Sequence, residues 1–212
     1  MNLKFYLPRA LAILLVGFAS QSAIAQEQPA SPAIVVDRVR FDRAPDRITG
    51  EQWLACTIEF TARTNPAEEP ANRLWVDNVG LRFTIGYGDP AKNQGKLDFA
   101  YQASVSIISV ELNSRREVTF FLPPEIMKRD RLRYGDPDFW VVELTINGTP
   151  VQATSASTSR SITDRSILDG FTRAANEHLG RTEGILQPAY LTPFGVTGRN
   201  SPTFKRLETP AR

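Results

Sequence analysis

One cysteine and one histidine in 212 residues exclude most catalytic designs before any fold is considered. A metal centre built on several histidines cannot form within the chain. Neither G-x-S-x-G, H-E-x-x-H nor a Gly-rich phosphate loop occurs. His178 falls on a predicted helix and is read as a surface or capping residue. Cys56 has no second cysteine for an internal disulfide. It lies in step with Leu54, Ile58 and Phe60 and is read as a small buried hydrophobe. The paired carboxylates Glu68-Glu69 and Asp136/Asp138 sit beside prolines, where solvated loop surface is the expected role. Two carboxylates also fall short of the roughly six to eight oxygens that Ca²⁺ takes. No catalytic residue, metal or cofactor is assigned, and an enzyme is not expected.

Two further absences bear on location and partners. No apolar run in the chain approaches the ~20 residues of a membrane span. No basic block is interleaved with aromatics, so nucleic acid is not an expected partner. What the N-terminus does carry is an export signal. Lys4 and Arg9 form a positive segment, residues 11–19 are apolar, and Ala23-Ile24-Ala25 is a small-x-small cleavage site. Residues 1–25 are therefore read as a signal peptide, and residues 26–33, rich in Pro and Ala, as a linker. Cleavage also changes the charge. The whole chain has 25 Lys and Arg against 23 Asp and Glu, and the excess of two is Lys4 and Arg9 themselves.

The mature chain is dominated by alternation. Leu97, Phe99, Tyr101, Ala103, Val105 and Ile107 fall on every other position, the period of a strand with one buried face. Residues 34–41, 53–62, 74–87, 116–122 and 139–146 read as further strands. In 53–62, Leu54, Cys56, Ile58 and Phe60 point inward, with Trp53, Thr57 and Glu59 outward. Leu74 and Val76 are out of phase with Val79, Leu81, Phe83 and Ile85, which predicts a bulge near Asp77-Asn78. Asn147-Gly148 is a type I′ hairpin signal, with 151–157 as the returning strand. The spacing predicts a mainly β protein: an immunoglobulin-like antiparallel sandwich of about seven strands over residues 34–158.

After Ser157 the period changes. Leu168, Phe171, Ala175 and Leu179 form one stripe of a helix over residues 163–180, with Thr163 as N-cap and Gly180 as its end. Residues 185–212 contain four prolines yet carry Tyr190, Leu191, Phe194 and Phe204, and read as an extended arm lying on the domain or on a neighbour. These four are the candidate partner-binding residues. Lys and Glu are missing from the outward face of the 97–110 strand, Ala100, Gln102, Ser104 and Ser106, so the helix or the arm is expected to cover it. Trp53 and Trp75, near strand ends, are candidates for stacking on sugar rings, which gives an alternative reading as a carbohydrate- or mucin-binding adhesion module.

Several segments together carry a family resemblance: the signal peptide, Leu74-Trp75-Val76-Asp77-Asn78-Val79, Phe139-Trp140-Val141-Val142-Glu143-Leu144, and the tail Tyr190-Leu191-Thr192-Pro193-Phe194 with Pro202-Thr203-Phe204. The chain resembles verrucomicrobial pilus-like proteins, which are immunoglobulin-like and associated with type IV pilus assembly. The resemblance implies an exported, non-enzymatic accessory or structural protein in the periplasm or at the cell surface, associated with the outer membrane. Its partners would be envelope or pilus-assembly proteins, or a second copy of itself. A type IV prepilin keeps a long apolar helix starting at Phe, with Glu at its fifth position. Here the apolar run precedes Gly17-Phe18 and the fifth residue is Ser22, so the chain is not expected to polymerise as a pilin.

Overall fold

The computed structural model describes residues 31–67, 72–89, 96–195 and 200–205. The expected signal peptide, most of the linker, Glu68-Glu69 and the end of the arm lie outside the described residues. In chain order the elements are β1 (Ile34–Pro45), β2 (Gln52–Ala62), β3 (Trp75–Tyr87), β4 (Phe99–Glu111), β5 (Arg115–Leu122), α1 (Pro124–Arg129), β6 (Phe139–Ile146), β7 (Thr149–Pro150), α2 (Arg165–Thr182) and β8 (Gln187–Pro188). Two antiparallel sheets form, ordered β1-β2-β5-β8 and β4-β3-β6-β7. Read as strands A, B, C, C′, E, F and G, β1 to β7 give A-B-E facing C′-C-F-G, the connectivity of an immunoglobulin-like sandwich.

The alternating residues are what bring the sheets together. Leu54, Cys56, Ile58 and Phe60 of β2 are fully buried, as are Val79, Phe83 and Ile85 of β3. The Phe83 ring lies 5.9 Å from Phe120 and 6.3 Å from Phe41, tying β3 to both β5 and β1. The Asn147-Gly148 turn has φ of 51° and 80°, the two positive values that a type I′ hairpin demands.

Several local expectations are corrected. Val76 and Val79 are both buried, yet no residue is inserted at Asp77-Asn78. Asp77 faces Ser109 and Val79 faces Ile107 in unbroken register. The phase changes because Asn78 takes φ 52° and β4 changes phase with it, burying both Ile107 and Val110. The register break lies in β1 instead, between Val36 and Arg38. The strand expected over 151–157 pairs only at Thr149–Pro150. Thr154 and Ser157 then form a capping box that turns the chain. Asp164, not Thr163, caps α2 by accepting from the Ile167 N–H at 3.0 Å. Gly180 does not end α2, which runs on to Thr182 before Gly184 takes φ 75°. Thr57 and Glu59 do point outward but are buried. The Thr57 hydroxyl meets Thr119 at 3.1 Å, and Arg40 and Arg115 lie over Glu59.

The arm closes the side of the sandwich where β4 and β5 part into opposite sheets. Leu186 is 1% exposed in the main core. Residues 187–188 pair with β5. Phe194 stacks on Phe121 at 4.3 Å with Trp53 edge-on at 5.7 Å. Farther along, Asn200 O accepts from Glu117 N, Thr203 O accepts from Ile108 N, and Lys205 N donates to Ser106 O. The arm thus hydrogen-bonds to both sheets within its own chain.

At one end of the sandwich Tyr101 donates to Asp130, which caps α1 and is paired with Arg129. Arg129 holds the Asp130 carboxyl below the usual carboxylate range, helped by Tyr101 and opposed by burial. A lowered folded-state value stabilises the fold above the unfolded value near ~4 and is lost as pH falls through the folded one.

Phe83→Ala is expected to lower the unfolding free energy by ~3–5 kcal/mol and Leu186→Ala by ~2–5 kcal/mol, read from urea midpoints at unchanged slope. Asp130→Asn is expected to be less stable at pH 7 and to lose stability less steeply than wild type below about pH 4, measured by urea titrations across pH.

Candidate functional site

The outward face of the β4-β3-β6 sheet is set by register. Across β4, β3 and β6 the paired residues make successive rows. The first is Ala100–Gly86–Phe139 and the second Gln102–Thr84–Val141, followed by Ser104–Arg82–Glu143 and then Ser106–Gly80–Thr145.

The first row is apolar and seats α2. A Cβ on Gly86 would stand 2.6 Å from a Phe171 ring carbon, so the missing side chain is what lets the ring lie against the sheet. Phe171 stacks on Phe139 at 5.7 Å. Ala174, Ala175, Leu97 and Val141 complete this small second core. His178 bonds through Nε2 to the Leu97 carbonyl at 3.0 Å, anchoring the far end of the helix. The expected covering of the 97–110 strand therefore holds at Ala100, which is fully buried, and ends before Ser104, which is exposed. β4 is also an edge strand, with Phe204 bridged to Ile107.

Beyond the first row lies an open cleft of about 650 Å³, floored by Gln102, Ser104, Arg82, Glu143, Gly80 and Thr145, while Thr84 and Val141 of the second row are buried beneath it. One wall is α2, presenting Leu168, Asp169, Thr172 and Asn176; the other is the chain at Pro150–Ala153 with Ser157 and Thr158. The floor spans roughly 13 Å along the strands and about 10 Å across them, from strand rise and spacing. Gln102 Nε2 donates to Thr84 Oγ1 at 2.9 Å. A Cβ on Gly80 would collide with the Thr145 hydroxyl, so glycine keeps that end of the floor low. The charges pair among themselves. Arg82 meets Glu143 at 3.9 Å and Arg165 meets Asp169 at 2.9 Å, all with more than half of each side chain exposed. No motif in the sequence marks these residues as a site. Their only signal was a run of small or polar outward positions, and register decides which of them are neighbours.

The sequence candidates lie elsewhere. Trp53 is half-buried against Phe121 and Phe194 at the start of β2. Trp75 opens β3 opposite Glu111. That is the end of the sandwich where Ala62 of β2 bridges Leu112, so the two residues sit at opposite ends of it, with roughly 30 Å of β2 rise between their backbone positions. They share no surface. Of the arm residues, Tyr190 and Phe204 pack on each other at 5.2 Å and on the main core, Phe194 covers Phe121, and Leu191 stays 66% exposed. Burial pushes the Cys56 thiol far up, away from the thiolate form a nucleophile needs. Asp138 accepts from the Gly88 N–H at 2.8 Å, and among the described residues no group of three His, Cys, Asp or Glu side chains is arranged to hold a metal ion. No helix among them is long and apolar enough to cross a membrane.

No protein-family model matches the chain, and no curated protein does. A solved structure is similar: a crystal structure from Akkermansia muciniphila, a verrucomicrobial organism, aligns with a TM-score of 0.63 over 84% of this chain and 95% of that one, at 14% identity. At that identity the likeness shows a shared β-sandwich fold across nearly the whole of both chains.

Proposed function

We propose that this chain is an exported, non-enzymatic envelope protein that serves as an accessory or structural partner in a type IV pilus-like assembly or another cell-surface interaction. The observation that carries the reading is the commitment of its reactive side chains to structure. The sole histidine is bonded to a backbone carbonyl beside the α2 seat, and the sole cysteine is sealed in the core. The cleft offers hydroxyls, amides and internally paired charges, a set suited to recognition rather than to bond-making. The N-terminal signal and the resemblance to pilus-like proteins support location in the periplasm or at the surface.

The arm enters this reading in a particular way. With Tyr190, Phe194 and Phe204 packed within the chain, Leu191 is, among the described residues of the arm, the exposed large apolar side chain for a partner or a second copy to bury. Deleting the whole arm would remove Leu186 from the core, so a point change is the informative variant.

Cross-linking and pull-down from envelope fractions are expected to recover pilus-assembly proteins with wild type and to lose them with Leu191→Asp, while that variant keeps the wild-type urea midpoint. N-terminal sequencing of the mature protein is expected to begin at Gln26. Retention in the cytoplasm with an uncleaved N-terminus, or reproducible turnover on a broad substrate panel, would overturn the reading.

A further inference from the structure

We propose that the cleft between α2 and the outward face of the β4-β3-β6 sheet binds a short, uncharged oligosaccharide. The inference does not rest on the pilus-related reading, and it moves sugar recognition away from the two tryptophans.

Size comes first. About 650 Å³ lies within the range of sites that enclose small organic ligands, and the elongated floor suits a short chain of linked rings. The lining then narrows the chemistry. Gln102, Asn176 and Gln152 each carry both donor and acceptor atoms, Thr145 adds a hydroxyl, and the Thr172 oxygen, whose proton goes to the Leu168 carbonyl at 2.9 Å, can accept. A polyhydroxylated ligand, whose every hydroxyl both gives and accepts, matches such a surface. Leu168, Pro150 and Val151 add an aliphatic strip on which the C–H face of a sugar ring can rest.

The other ligand classes fit less well. Both charged pairs in the cleft are self-neutralising, Arg82 with Glu143 and Arg165 with Asp169, so nothing selects a phosphate, a nucleic acid or a cationic peptide. The floor is the face of a sheet rather than its edge. β3 is hydrogen-bonded to β4 on one side and β6 on the other, so a peptide main chain finds no ladder to join. A lipid tail would leave the polar side chains of three rows without water. Arg82 and Glu143 stand side by side on the floor, and their planar groups can each make two directed bonds to adjacent sugar hydroxyls.

The experiment is an array of neutral di- to tetrasaccharides built from hexoses and N-acetylhexosamines, with sulfated and sialylated counterparts, probed with the mature chain and followed by calorimetry on the ligands retained. Neutral glycans are expected to bind, and Gln102→Ala and Glu143→Ala are each expected to weaken binding roughly tenfold or more. Glu143 is more than half exposed, so Glu143→Ala is expected to melt with wild type and keeps the test independent of the Gln102–Thr84 bond, whose loss lowers the stability of Gln102→Ala. Trp53→Ala and Trp75→Ala are expected to leave affinity within about twofold, a shift of less than ~0.5 kcal/mol. Retention of no neutral glycan, a preference for the charged counterparts, insensitivity to both cleft variants, or loss of binding in the tryptophan variants would each overturn the proposal. Capture of pilus-assembly proteins is measured separately, so failure here leaves that reading standing and its failure leaves this one.

Discussion

A sandwich of two open sheets must close the sides where its strands part, and here a segment from the far end of the chain does so. β4 and β5 are consecutive but belong to opposite sheets, so between them the core would meet water. The arm enters that gap with Leu186 fully inside, then bonds to β5 and finally to β4. Edge backbone groups and apolar side chains are satisfied by one segment. The prolines that keep it from forming a regular strand do not hinder this, because it needs only a few backbone bonds at each stop. Pro188 sits in a two-residue strand and Pro202 is buried beside the β4 contact.

The second constraint is steric and lies on the outside of the other sheet. Gly86 leaves a gap in a row otherwise formed by Ala100 and Phe139, and Phe171 fills it. That docking holds α2 over one end of the sheet. Thr84 in the next row is buried with Gln102 as its partner, but Ser104, Arg82 and Glu143 beyond it carry polar groups that cannot be buried under a helix without partners. The helix therefore covers the apolar row, the polar rows stay open beside it, and a cleft results. The cleft is a consequence of how the apolar and polar rows are distributed across three strands.

What the molecule offers chemically follows from this division. His178 and Cys56 are held in structural contacts, and the cleft beside α2 is lined by amides, hydroxyls and internally paired charges. The sandwich supplies the frame, and the chemistry of the cleft is set by its outward side chains. The similar structure from Akkermansia muciniphila shares the frame at 14% identity, a level at which outward-facing residues are free to differ.

The strands with strong alternation were legible locally, because a period of two needs no partner: alternate residues from Leu54 to Phe60 and from Val79 to Ile85 point inward wherever their strands are placed, whereas 151–157, without such alternation, is not a strand. The sequence by itself determined the Asn147-Gly148 turn for the same reason, since positive φ at two successive residues is a local demand. The α2 stripe was equally legible, with Phe171 and Ala175 at its centre. Only the tertiary structure decided what the outward faces became. Trp53 read as an outward ring near a strand end and is half-covered, because Phe194, far along the chain, meets it edge-on at 5.7 Å. Thr57 and Glu59 read as outward and do point outward, but they are buried there because Thr119, Arg40 and Arg115 arrive from neighbouring strands. Arg82, Gln102 and Glu143 lie far apart in sequence and become neighbours through pairing register, which no single-strand pattern encodes. Inward positions obey a hydrophobic rule that each strand carries alone, whereas outward positions take their environment from whichever segment packs next to them.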